Sequence, residues 1–155
     1  MNHLIKKTAM IAAIFALLAM TSACKSTPKF SEIKDKEWKL IEVRVDSESI
    51  GYDRSKLENE SFGDIFTLKF DADRVSGKGA PNRYTAPFEL GKGLAITFKP
   101  AAATLMAPIR EPEKLKEHDF FALLSNVYQW NLDQAKHLEF STKTEDGREA
   151  VMVFE

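Results

Sequence analysis

The chain has 155 residues, with 22 Lys and Arg against 23 Asp and Glu, and a single cysteine. A formal charge of −1, with both signs interspersed, leaves no basic field of the kind that nucleic acid attracts. With its one cysteine at position 24, the chain after it has no thiol for a disulfide, a zinc–thiolate centre or thiol catalysis.

Residues 1–23 combine a charged start (Lys6, Lys7), an apolar run and small residues before Cys24, the order of a secretory signal peptide. The run is about a dozen residues long, short of the roughly 20 that cross a bilayer, so a retained transmembrane helix is the weaker reading. Its end, Met20-Thr21-Ser22-Ala23-Cys24, resembles the lipobox of bacterial lipoproteins, although Thr21 stands where that motif usually has Leu. The resemblance implies acylation of Cys24, such as by palmitate, and a mature chain held on a membrane by two or three lipid chains. The competing reading is a plain secretory signal with a stray cysteine. Lys25 follows in place of the aspartate that keeps enteric lipoproteins in the inner membrane, which favours the outer membrane of the cell envelope.

Residues 24–37 are Lys, Ser, Thr, Pro and acids with only Phe30 and Ile33 apolar, and they read as a lipidated tether. Residues 38–155 read as one domain. Trp38 and Leu40, then Ile41, Val43 and Val45, alternate with charged residues as in a half-buried strand, with a bulge where the parity changes after Leu40. Residues 46–63 read as a long connection holding a short helix over 54–60. Alternation returns at Phe66, Leu68 and Phe70, turns at Asp71-Ala72-Asp73 and resumes at Val75. After a corner over 77–82 it continues through Tyr84, Ala86, Phe88 and Leu90. Gly91-Lys92-Gly93 then forms a hairpin turn to Leu94, Ile96 and Phe98.

Residues 112–128 change period. Pro112 suits a first helical turn, with Glu111 and Glu113 at the positive end of the dipole. Phe120, Phe121, Leu124, Val127 and Tyr128 form an apolar stripe, with Leu115, His118, Asp119, Ser125 and Asn126 opposite. Three short strands close the chain, near 128–132, 138–141 and 150–154. The pattern predicts an α+β fold: a small curved antiparallel β-sheet of about eight strands, a roll or cracked barrel, with one packed α-helix.

Val75-Ser76-Gly77, then Asn82-Arg83-Tyr84, the strand over 94–98, Thr104 with Met106-Ala107, and a Phe-rich helix before terminal strands together resemble the META domain, the HslJ-like family of bacterial lipoproteins. The resemblance covers nearly all of 38–154. It singles out Ser76, Gly77, Asn82, Tyr84, Thr104 and Met106 as motif residues at two corners. Family members commonly carry a cysteine in each corner, usually taken to be paired, at the positions of Pro81 and Pro108 here. The resemblance implies an envelope protein linked to stress or drug tolerance, with no agreed enzymatic activity and no cofactor.

No residue pattern carries catalysis. Asp71-x-Asp73 followed by Ser76-Gly77 lacks the donors of a calcium loop, and Gly77-Lys78-Gly79 lacks the spacing of a phosphate loop. His118 and His137 have neither a second ligand nor a base at motif spacing, and Glu111, Glu113 and Glu117 read as helix-dipole partners and solvated surface. Asn82 and Tyr84 are the residues expected to be special, at a corner rather than in contact with a ligand. Two readings of function stay open: a lipid-anchored module acting through an envelope protein partner, and a carrier of an acyl chain or other apolar ligand inside the roll. Ten Phe, two Trp and three Tyr after Cys24 argue for a filled interior over a lipid cavity. An enzyme needs a concave site with converging polar groups.

Overall fold

The computed structural model describes residues 27–46, 48–108, 110 and 112–155; Cys24 and Glu111 lie outside them. Their strands are β1 (Glu37–Val45), β2 (Glu48–Gly51), β3 (Thr67–Phe70), β4 (Arg74–Lys78), β5 (Arg83–Leu90), β6 (Ile96–Phe98), β7 (Ala102–Ala103), β8 (Gln129–Leu132), β9 (Leu138–Lys143) and β10 (Glu149–Phe154). Two helices, α1 (Arg54–Asn59) and α2 (Glu117–Ser125), accompany them. Eight strands follow the order β6-β5-β4-β3-β1-β10-β9-β8, all antiparallel, while β2 pairs with β1 and β7 with β5. The Ile96 N–H donates to the Tyr128 carbonyl at 3.2 Å and the Trp130 N–H to the Leu94 carbonyl at 3.0 Å. These bonds bring β6 to β8 and nearly close the barrel, which is the α+β architecture the alternation predicts.

The side-chain period of two decides what lies inside. Leu68 and Phe70 on β3, Val75 on β4, Tyr84 and Ala86 on β5, and Phe140 on β9 are buried, while Lys69, Ser76 and Thr85 stand on the other face. The ladder between β1 and β10 shifts register between Leu40 and Glu42, where the change of parity places a bulge. Phe66, Phe70, Phe120, Phe140 and Phe154 are wholly buried, and Phe140 meets Phe98 edge to face at 5.6 Å. The interior is therefore packed with rings in the space an acyl chain would need.

Three local expectations change. The main helix starts at Glu117, not at Pro112; Pro112 and Leu115 are buried in the segment that leads into it. Leu115 thus belongs to the core rather than to the polar side, and Tyr128, expected in the apolar stripe, is 41% exposed. The supposed long connection after Val45 contains β2, every residue of which is exposed. Within the supposed tether, residues Phe30–Glu32 form a 3-10 turn. Ile33 is fully buried, and the Phe30 ring packs on Phe70, Phe88 and Trp130 with centroids 5.1, 5.3 and 5.7 Å away. Two apolar side chains three residues apart suffice to cap the end of the barrel, and Ser31 and Glu32 between them remain in solvent.

Candidate functional site

The corner residues divide into two groups. Asn82, Thr104 and Met106 meet around one amide. Asn82 Nδ2 donates to the Met106 carbonyl at 3.1 Å and to Glu117 Oε2 at 2.6 Å. Its Oδ1 accepts from Thr104 Oγ1 at 2.8 Å and from the Met106 N–H at 2.7 Å. Its backbone N–H donates to Glu117 Oε1 at 2.6 Å, and its carbonyl accepts from the Gly79 N–H at 2.6 Å. Asn82 is 6% exposed and every donor and acceptor it owns is occupied. It is a hub that ties the corner over 79–82 to the loop over 104–108.

Glu117 completes the hub. It stands at the first position of α2, and its Oε1 also accepts from the Ala80 N–H at 2.6 Å. Three N–H donors converge on one carboxylate at the positive end of a helix. Glu117 reads from the sequence as a helix-dipole partner on solvated surface, yet the sequence also carries a signal for the hub. Glu117 precedes Phe120, Phe121 and Leu124 by three, four and seven residues, so it lies on the apolar face of its helix. A carboxylate on that face must find donors.

The second group is steric. Gly77 lies inside β4 rather than in the corner, opposite Leu68 and Tyr84. A Cβ there would stand 2.0 Å from the Thr67 carbonyl oxygen and 3.0 Å from Tyr84 Cε1. Glycine leaves room for the buried Tyr84 ring, whose hydroxyl donates to that same carbonyl at 2.9 Å. Burial pushes the Tyr84 phenol well above its usual range. Ser76 sits on the outer face opposite Thr85 and takes no part in the hub. The corners that the family resemblance ties by a cysteine pair at Pro81 and Pro108 are held here by Asn82, the residue after Pro81.

Among the described residues, the polar groups that converge on Asn82 satisfy one another. His137 Nδ1 lies 3.0 Å from Asp133 Oδ2 at the turn between β8 and β9, and His118 Nε2 lies 2.9 Å from Asp119 Oδ1 in solvent, each a local side-chain contact. Among the described residues no group of three or more His, Cys, Asp or Glu is placed to hold a metal ion.

A fold of this kind, with a small barrel, one covering helix and two pinned corners, defines a class, and the sequence agrees. The META domain family matches residues 31–154, and the chain belongs to that family. The match begins in the docked turn, next to Phe30. An NMR structure of a protein from Burkholderia xenovorans has the same fold, with a TM-score of 0.57 over 87% of this chain and 96% of that one, at 16% identity. No curated protein shows significant sequence similarity to the chain. The META domain is not a known enzymatic family.

Proposed function

We propose that the chain is an envelope lipoprotein, anchored through a lipid on Cys24, whose META domain acts without catalysis by presenting its exterior to an envelope protein partner. The observation that carries the reading is the lone cysteine at the end of a signal-like segment, six residues before the chain docks at Phe30. The filled barrel and the self-satisfied hub support the second half of it, since neither leaves an internal site for a ligand or a reaction. Outer-membrane placement rests on Lys25, and a link to stress or drug tolerance on the resemblance alone.

Metabolic labelling with a clickable fatty acid tests the anchor. The parent chain is expected to carry the label and Cys24→Ala to lose it. Equal labelling of the two would remove the anchor from the reading, whereas crosslinking in intact cells that recovers no attached protein would remove the partner.

A further inference from the structure

Charge is unevenly distributed over the barrel. Antiparallel register places Lys39 opposite Thr67, Thr67 opposite Lys78, Lys69 opposite Ser76, and Lys78 opposite Arg83, so these residues share the outer face of β1, β3, β4 and β5. Arg74, whose Nε donates to Thr85 Oγ1 at 3.0 Å, lies on the same face. Lys99 continues it beyond β6, paired with Glu89 at 2.9 Å. Against these six cations stand four acids, Glu37, Glu89, the exposed Asp71 just beyond β3, and Asp64, the last bonded to Lys78. The outer face of β8, β9 and β10 with the far half of β1 carries Glu42, Glu139 and Glu149 against Arg44 and Lys143. One side of the barrel has a surplus of cations and the other has not.

At the rim of the cationic side lies an apolar loop. Residues 100–108 contain no charge, and all of 101–108 are exposed, with Leu105 100% and Met106 50% exposed. The loop is held in place while remaining uncovered. β7 pairs it to β5 through Tyr84 with Ala103 and Thr85 with Ala102, and the Asn82 hub fixes Thr104 and Met106. A rigid apolar projection beside a basic face matches a surface with anionic headgroups over hydrocarbon.

The anchor has the reach this needs. The Phe30 ring packs on Phe88 of β5, and Arg83, whose carbonyl accepts from the Thr104 N–H at 3.0 Å, lies at the other end of that strand. The two ends are about 17 Å apart. The six residues from Cys24 to Phe30 span at most about 20 Å, enough to let β5 lie along the bilayer with the loop touching it.

We propose that the outer face of β3, β4 and β5, with the loop over 101–108 at its rim, is a lipid-docking surface. It lies on anionic headgroups and places Leu105 and Met106 below them. The proposal rests on the lipid anchor at Cys24 and adds an orientation to it: the β8 to β10 side faces away from the bilayer and is left for a protein.

The test uses the full lipidated chain carrying Leu105→Cys, in which the acylated Cys24 cannot react and an environment-sensitive fluorophore reports position 105 alone. A second chain carries the probe at Glu145→Cys, in the turn between β9 and β10. In vesicles containing phosphatidylglycerol, the probe at 105 is expected to shift to the blue and to be quenched by spin-labelled lipid, while the probe at 145 remains as in water. Both effects at 105 should be lost when Lys69→Glu and Arg83→Glu are added. Chains that float with the vesicles yet show equal, water-like probes at 105 and 145 would overturn the docking surface and leave the anchor standing. Protection of position 105 only on adding envelope proteins would assign the loop to a protein partner instead. Chains that fail to float at all would overturn the anchor and the docking with it.

Discussion

Glu117 Oε1 lies 2.6 Å from two backbone nitrogens at once, those of Ala80 and Asn82, while Oε2 takes the Asn82 side chain. One carboxylate therefore fixes the position of α2 against the corner between β4 and β5. Glu117→Ala leaves three donors without a protein partner in a half-buried place and should cost about 2–3 kcal/mol, the scale of hydrogen bonds to a charged group. Glu117→Gln keeps one acceptor but turns its own NH2 toward a donor, for a loss of about 1–2 kcal/mol. Urea denaturation of the two variants measures both, and parent-like midpoints would show the hub to be inconsequential.

Asn82→Asp should be more harmful at neutral pH than in acid. The new carboxylate faces Glu117 where an NH2 stood, so its folded-state pKa is raised by the like charge. A raised folded-state pKa means stability that is present at low pH and lost as pH rises, the reverse of an ordinary salt-bridged carboxylate. Thermal melts from pH 4 to pH 7 should show the gap from the parent widening with pH. The loop over 104–108 should also exchange its amide hydrogens faster, because Met106 loses the partner of its carbonyl.

Gly77→Ala should be among the more damaging single-methyl changes in the barrel. The added carbon falls 2.0 Å from the Thr67 carbonyl oxygen, a main-chain atom held in the β3–β4 ladder that cannot swing aside. Overpacking of this kind costs about 1–3 kcal/mol, and Tyr84→Phe, which removes only the hydroxyl bond, about 1 kcal/mol. Chemical denaturation of both, singly and combined, should reveal coupling, since they crowd and bond the same carbonyl.

The three tyrosines predict an alkaline transition. Burial and the nearby Asp119 push Tyr52 up to about 12, burial pushes Tyr84 higher still, and the bond that Tyr128 donates to Glu149 at 2.7 Å raises the third. Each folded-state pKa exceeds the unfolded value, so stability is intact below about pH 10 and falls as pH rises above it. Ultraviolet titration should show Tyr52 and Tyr84 silent near pH 10 in the folded chain, and a cooperative rise at higher pH that coincides with loss of ellipticity. A simple three-phenol titration centred at pH 10 would contradict the burial of Tyr52 and Tyr84.

Phe30→Ala should destabilise the domain by about 2–3 kcal/mol, toward the lower end for a Phe truncation because the ring is only partly buried. Calorimetry decides it: an unchanged melt would return residues 30–36 to the status of a tether.

What the linear text conveys, and what it hides, follows from how each segment meets water. Phe66, Leu68, Phe70 and Val75 alternate because one face of each strand is in the core, and the barrel could be read from them. β2 and β7 could not: Glu48, Ser49, Ile50 and Gly51 are all exposed, as are Ala102 and Ala103, and a strand with no buried face has no period. The expected helix starts too early because Pro112 obeys the rule for a first turn, although Pro112 and Leu115 are buried in the bent segment that precedes Glu117. Asn82 could be picked out as a corner residue. Its partners could not, since Met106 and Glu117 lie 24 and 35 residues away and only the closed barrel brings them together.

The stacking of Phe30 against Phe70, Phe88 and Trp130 also has a mechanical meaning. Tension on a lipidated Cys24 would meet the 3-10 turn before it meets β1. That segment is held by the Phe30 ring, the buried Ile33 and two hydrogen bonds, from Asp35 N–H to the Phe70 carbonyl and from Trp38 Nε1 to the Ile33 carbonyl, rather than by a ladder. Peeling it away would release seven residues, about 24 Å of slack, while β1 kept its bonds to β3 and β10. A short leash would become a long one under load without unfolding the barrel, letting the domain stretch away from the bilayer and settle back when the strain is gone.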